Sequence, residues 1–270
     1  MGDLKIGIVG AAGRMGRMLV KQISETSGCI VCGGTEPSGS DFVGKDIHAL
    51  ANLEPGGVSI GDDAEALFKS ADAVIDFTAP EATVAHAKLA ARHGRILVIG
   101  TTGLTNEQQA EVSACGARAV IVQGANMSLG VNLLAQLTRK VAAILDDEFD
   151  IEILEMHHHH KVDAPSGTAL LLGKSAAAGR GVDHDAVADR GRDGITGARR
   201  RGDIGYAVLR GGNVVGDHTV IFAAENERIE LTHKAGDRSI FARGAVRAAL
   251  WAKDKPAGTY DMMDVLGLGD

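Results

Sequence analysis

The first sixteen residues constrain this chain most. A short β-prone run, Lys5-Ile-Gly-Ile-Val9, ends in Gly10-Ala-Ala-Gly13-Arg-Met-Gly16 and gives way to a helical pattern. Met15, Met18, Leu19 and Ile23 recur at helical spacing, which predicts an amphipathic helix over about 14–25. Three glycines at such a strand-to-helix turn have separate uses. Gly10 permits the tight turn, Gly13 lets a pyrophosphate approach the backbone, and Gly16 lets the helix pack close to the sheet. Free N–H groups and the helix dipole then favour a phosphate. The spacing G-x-x-G-x-x-G is a variant of the dinucleotide fingerprint, which wants an acidic residue about 20 positions on to meet a ribose. Glu36 stands there. Pro37 after it offers neither charge nor donor, and Glu36 would repel a 2′-phosphate, so NADH is expected over NADPH. Arg14 is the cation that would favour NADPH.

Strands and helices alternate through the first half. Strands are expected at Cys29–Gly33, Ala73–Phe77, Arg95–Ile99 and Ala119–Val122, with helices over Pro80–His93 and Asn106–Cys115. This order predicts an α/β fold: a Rossmann-type, doubly wound parallel sheet with helices on both faces. After about Asn126 the rhythm changes. A long apolar helix (131–145), an alternating strand (149–156) and a helix (168–178) precede a Gly-, Asp- and Arg-rich stretch, 179–203. That stretch is expected to be a long loop, with a lid as the second reading. Three strand-like segments (204–209, 218–223, 228–233) and a helix (239–252) follow. The second part therefore reads as an α+β domain with a mixed or antiparallel sheet. The division expected is 1–128 plus 239–270 for dinucleotide binding, and 129–238 for substrate binding and oligomerisation.

Composition excludes other classes. The net charge of −7 lacks the basic footprint of a nucleic-acid binder. Nine aromatic residues are too few for a base-stacking platform. No apolar run is long enough for a transmembrane helix, and the N-terminus carries no secretory pattern, so a cytoplasmic location is expected. Cys29, Cys32 and Cys115 suggest reduced thiols rather than a disulfide framework.

The densest chemistry lies in Glu155-Met-His157-His158-His159-His160-Lys161-Val-Asp163-Ala-Pro165-Ser166-Gly167-Thr168. Adjacent histidines on a strand point to opposite faces, so four in a row cannot converge on one metal ion. No paired cysteine or carboxylate spacing supports zinc, and no metal is expected. An acid and anion-binding cluster fits better. Histidine exchanges protons near neutral pH, and Lys161 adds positive charge. Ser166 is a good N-cap, and Gly167 and Thr168 fall in the first helical turn, where N–H groups collect an anion. If the strand persists, His157 and His159 share one face and His158 and His160 the other. Asp76, ending a strand, is expected to be a structural acceptor. For Asp217, His218, His233 and Lys234, cleft lining and surface ladders both stay open. Beside a dinucleotide site this cluster implies hydride transfer coupled to proton transfer. Another dehydrogenase on the same plan, or a sensor without chemistry, remains a weaker alternative.

At these residues the chain resembles the dihydrodipicolinate reductase family. The likeness covers the Gly10–Gly16 loop, Val74–Thr83, Gly100–Gly103, Gly124–Asn132, His157–Thr168, Val215–Thr219 and Leu231–Ala235, and its H-H-x-x-K-x-D-A-P-S-G-T core is specific. The resemblance implies His157 as catalytic acid and Lys161 as a second proton donor. It implies His158, Gly167 and Thr168 at the substrate carboxylates. It implies cofactor contacts at Gly10, Ala11, Ala12, Gly13, Arg14, Met15, Glu36, Gly100, Thr101, Thr102, Gly124, Ala125, Asn126 and Met127, with Phe77 and Thr78 near the nicotinamide. The implied substrate is a cyclic imine dicarboxylate, reduced with loss of a hydroxyl as water, and the implied assembly is a homotetramer. Pro37 and Ala79 stand where some members carry Arg, which leaves fewer cations for a 2′-phosphate.

Overall fold

The computed structural model describes residues 2–269. Chain order runs β1 (Leu4–Val9), α1 (Arg14–Ser24), β2 (Cys29–Thr35), α2 (Ile47–Leu50), β3 (Ile60–Gly61), α3 (Ala64–Ser70) and β4 (Ala73–Asp76). It continues with α4 (Pro80–His93), β5 (Ile96–Ile99), α5 (Asn106–Cys115), β6 (Val120–Gln123), α6 (Leu129–Ile144), β7 (Asp150–His157) and α7 (Gly167–Arg180). The remainder is α8 (His184–Val187), β8 (Ala188–Asp189), β9 (Ile204–Arg210), β10 (Gly216–Ala223), β11 (Arg228–Ala235), α9 (Ser239–Ala252), β12 (Gly258–Tyr260) and α10 (Met262–Leu266). Packing divides the chain into two compact units, one of residues up to Leu129 with those from Ser239 on, the other Gly130–Arg238.

In the first unit seven parallel strands lie in the order β12-β6-β5-β4-β1-β2-β3. The strands are apolar on both faces because helices cover both. Ile6, Ile8, Ile75 and Val98 pack with Leu19 and Ile23 of α1 and Ala245 and Ala249 of α9. Val74, Leu97, Ile99 and Ile121 pack with Phe68 of α3, Val84 and Ala87 of α4 and Val112 of α5. Apart from Val84, which keeps 9% exposure, each of these large side chains is fully buried, worth about 1.5–3 kcal/mol apiece. Cys29 and Cys32 face opposite layers, three residues apart on one strand, and both are free thiols. The chain leaves β1 toward β2 and β3, then returns to lay β4 on the other side of β1. Such a switch point is where an open α/β sheet binds ligands, beyond the carboxyl ends of its strands.

The second unit holds a five-stranded sheet in the order β11-β10-β7-β9-β8. It is mixed: β7 and β9 run parallel, while β10 is antiparallel to both β7 and β11. β7 alternates, with Ile151, Ile153, Glu155 and His157 buried. α7 packs through Ala169, Leu172, Ala176 and Ala177. The approach of α7 is close because Gly173 leaves room for the Tyr206 hydroxyl, which bonds His184 Nε2 at 2.6 Å.

One expectation needs correction, and one open condition is decided. Residues 179–203 are not a plain loop. They include the end of α7, then α8 and β8, and Arg199 bonds Asp150 Oδ1 (2.7 Å), Glu152 Oε1 (2.8 Å) and three backbone carbonyls. Long-range ion pairs organise a stretch whose local composition carries only turn signals. The strand does not persist into the histidine run, since β7 ends at His157. His158 N donates to Val214 O at 2.7 Å and His159 N to Gly212 O at 3.3 Å, so the two-residue alternation stops there.

Candidate active site

In the first unit the carboxyl ends of β1, β2, β4, β5 and β6 carry the Gly10 turn, Glu36, Phe77, Gly100 and Gly124. Gly10 has φ +69°, a conformation that suits glycine. A Cβ at Gly16 would run into the carbonyls of Gly10 and Ala11, so α1 starts against the turn's own backbone. Gly13 is the N-cap of α1, and no side chain caps the helix. Glu36 Oε1 accepts from Ala12 N at 2.7 Å, which ties the end of β2 to the glycine turn. Arg14 is exposed and Met15 half-buried beside it. An uncapped helix start, a turn with no side chain larger than a methyl between Gly10 and Gly13, and an adjacent carboxylate fit the diphosphate and ribose of a dinucleotide.

Behind this edge lies a buried polar knot. Asp76 accepts from Thr78 N (2.8 Å), Thr78 Oγ1 (2.6 Å) and Thr101 Oγ1 (3.3 Å), and pairs with His86 Nδ1 at 2.8 Å. Burial pushes its carboxyl up, but His86 and Thr78 outweigh burial and hold it below the usual range. Asp76 is thus a structural acceptor that joins the turns after β4 and β5. The side chain of Thr101 turns inward to this knot, whereas Thr102 is exposed. Gly100 sits under the Phe77 ring, and Gly124 against Met262. Ala125 is exposed and Asn126 half-buried, while the Met127 side chain belongs to the core, so only its backbone is available to a ligand.

In the second unit one carboxylate organises the chemistry. Glu155, 1% exposed, lies two residues before His157 on the buried face of β7. Its Oε2 is 2.5 Å from His157 Nδ1, and its Oε1 accepts from Ser166 N at 3.0 Å. Arg210, the β9 partner of His157, donates to both oxygens at 2.8 and 3.1 Å. Burial raises the Glu155 carboxyl, but Arg210, His157 and the Ser166 amide together hold it below its ordinary value. Ser166 caps α7 by accepting from Ala169 N at 3.1 Å, and its Oγ is 2.9 Å from His218 Nε2. The His218 and His157 rings meet edge to face, centroids 5.0 Å apart. An imidazole, which can exchange a proton, and a helix N-terminus, which can hold an anion, therefore share one carboxylate.

Lys161 Nζ donates to Asp163 Oδ1 at 2.7 Å, and this bond holds Asp163 below its usual range. His158 is half-buried, and desolvation, then the neighbouring His160, His157, Arg238 and Lys161, favour its neutral form. Gly167 is exposed, and an added Cβ would meet nothing within 4 Å, so packing does not require glycine there. Thr168 is half-buried next to it in the first turn of α7. His159 and His160 are exposed. His218 and His233 face the α7 side of the sheet, and Asp217 and Lys234 the other. Among the described residues no group of three or more His, Cys, Asp or Glu side chains is placed to hold a metal.

Sequence reasoning missed Glu155, Arg210 and the place of His218. Glu155 had a signal: a charged residue in phase with buried isoleucines needs a partner. Arg210 and His218 had none, because strand register alone brings them to β7.

A doubly wound sheet with a glycine turn, carried in one chain with a mixed sheet that bears a buried carboxylate–imidazole pair, defines a Rossmann-type oxidoreductase. Family models described as the N- and C-terminal parts of dihydrodipicolinate reductase match residues 4–127 and 130–266. Similar proteins include the 4-hydroxy-tetrahydrodipicolinate reductase of Rhodopseudomonas palustris (strain BisB18), 58% identical over 270 residues and covering 100% of both chains. That of Roseobacter denitrificans is 56% identical over 267 residues, 99% of this chain and 98% of the relative. The chain belongs to the dihydrodipicolinate reductase family, whose members use a nicotinamide dinucleotide. In fold it resembles a dipicolinate-bound dihydrodipicolinate reductase from Paenisporosarcina sp. TG-14, with TM-score 0.75 at 23% identity over 97% of this chain and 98% of that one. A probable dehydrogenase from Thermotoga maritima also shares the fold, with TM-score 0.64 at 10% identity over 98% of this chain and 93% of that one. No helix of the described residues is long and apolar enough to cross a membrane.

Proposed function

We propose that this chain reduces 4-hydroxy-tetrahydrodipicolinate to tetrahydrodipicolinate, with loss of the 4-hydroxyl as water, in diaminopimelate and lysine biosynthesis. The observation that carries this reading is the Glu155 carboxylate, which bonds both the His157 imidazole and the Ser166 amide at the start of α7. The unit built on the glycine turn binds the dinucleotide through Gly10–Met15, Glu36, Gly100–Thr102 and Gly124–Met127. Bound there, reduced nicotinamide supplies the hydride.

The other unit does the rest. The first-turn amides of α7 at Gly167 and Thr168, with His158, hold the substrate carboxylates. Each charge-assisted bond contributes about 1.5–3 kcal/mol. Lys161 leaves Asp163 to meet a carboxylate and serves as a second proton donor. His157, its Nδ1 engaged by Glu155, presents Nε2 as the acid that protonates the ring carbon. NADH is preferred, since Glu36 and Pro37 leave no cation at the 2′ position except Arg14. The protein works in the cytoplasm as a homotetramer joined through the sheet face opposite α7, where Leu209 is 47% exposed.

Oxidation of NADH followed at 340 nm with the enzymatically generated imine tests the reading. His157→Gln should lower kcat by about 10²–10⁴ with the KM for NADH unchanged. A near wild-type rate would place the acid elsewhere. A higher kcat/KM with NADPH would refute the cofactor preference, and a monomer by sedimentation would refute the assembly.

A further inference from the structure

We propose that Glu155 is a positioning residue for the proton transfer and that Arg210 sets how firmly Glu155 holds the protonated form of His157. The proposal rests on the assignment of His157 as the acid. Its basis is geometric. Glu155 accepts hydrogen bonds on both oxygens, from His157 and Arg210 on one and from Ser166 and Arg210 on the other. A carboxylate does this with no donor facing a donor. The imidazole is thereby fixed with Nδ1 inward and Nε2 outward, and the same group fixes the N-cap of the anion-gripping helix. Acid and anion cradle thus share a single point of reference.

The charges explain why two residues are needed. A lone buried carboxylate would hold an imidazolium tightly and make it a reluctant donor. Arg210 neutralises Glu155 from β9, so the carboxylate orients the ring without a full unpaired charge behind it. The other groups around the pair are His218 on β10, itself backed by His233, and Ser166 at α7. His158, Lys161 and Asp163 flank the pair on the loop after β7. Arg210 also donates to Asp163 O at 2.6 Å, which ties the same pair to the loop that carries Lys161.

Substitutions separate this role from a structural one because the two residues should move the pH profile in opposite directions. In Glu155→Gln the amide can accept on only one atom, so an N–H must face either the Nδ1–H of imidazolium or the Ser166 amide. Protonated His157 is disfavoured. The pH at which kcat falls on the basic side should drop by about one unit, and kcat itself by about 10- to 10³-fold. In Arg210→Gln the carboxylate loses its counter-charge, and the same limb should rise by about one unit. The KM for NADH should stay within about twofold in both, since neither residue belongs to the unit that carries the glycine turn. If both variants lose rate with the limb unmoved, the residues only support the fold and the proposal fails. If Glu155→Gln does not fold, the double variant E155Q/R210Q removes both charges, and its limb should still drop. An unmoved limb there overturns the proposal equally. His157→Gln distinguishes the two levels. A near wild-type rate sinks the acid assignment, whereas an inactive His157→Gln with an unshifted Glu155→Gln profile sinks only the role of Glu155.

Discussion

Ser166 Oγ and His218 Nε2 lie 2.9 Å apart, and both residues are buried. Burial first, and then the charge of nearby His157, push the His218 pKa down to about 4. An unfolded histidine titrates near 6.5. Between these values the unfolded chain binds the extra proton, so stability rises with pH across that window. The contribution is complete above about 6.5 and is lost as pH falls toward 4, amounting to of the order of 3 kcal/mol. Urea unfolding at pH 4.5 and 7 should show this slope, and His218→Gln should flatten it. An equal slope in the variant would contradict the buried neutral imidazole.

Ser166 serves two partners, since its Oγ also caps α7 through Ala169 N. Ser166→Ala should cost about 1 kcal/mol for the cap, read as a lower unfolding temperature. It should also raise the KM for the imine, because the helix start loses its anchor to β10. The KM for NADH should not change.

Two glycines should behave in opposite ways. Gly16→Ala pushes a methyl into the carbonyls of Gly10 and Ala11, so stability should fall by about 1–3 kcal/mol and the Kd for NADH should rise. Gly167→Ala meets open space, so stability should change by less than about 1 kcal/mol. If a substrate carboxylate approaches that backbone, the KM for the imine rises all the same. A Gly167→Ala enzyme with unaltered KM would remove Gly167 from the substrate site.

Asp76 is fully buried and paired with His86. Asp76→Ala strands the Thr78 and Thr101 donors and the imidazole, at a cost of about 3–5 kcal/mol. Chemical denaturation measures that loss. Stability within about 1 kcal/mol of the parent would show that the knot contributes little.

The doubly wound half was legible because its signals are local. Val74 and Ile75, Leu97 and Val98, and Ile121 and Val122 form continuous apolar runs, and the glycine turn and Pro80 mark helix starts. Residues 38–72 were not legible. There α2, β3 and α3 are short, and Asp46 and Asp63 cap their helices within polar surroundings. β12 escaped notice because three residues, Gly258–Tyr260, make a strand only by pairing with β6.

For the site, residues 157–168 displayed imidazole, cation and helix cap in one continuous stretch. The partners of His157 did not announce themselves. Arg210 stands 53 residues away and His218 61, and nothing near either one marks it. The sequence by itself determined the layers, the glycine turn and the histidine–lysine segment with its helix cap, since periodicity, turn chemistry and capping act over a few neighbours. Only tertiary structure decided that Glu155 bonds the His157 imidazole and the helix start together. That arrangement depends on the register of β9 and β10 against β7, and register is settled by burial of whole strand faces.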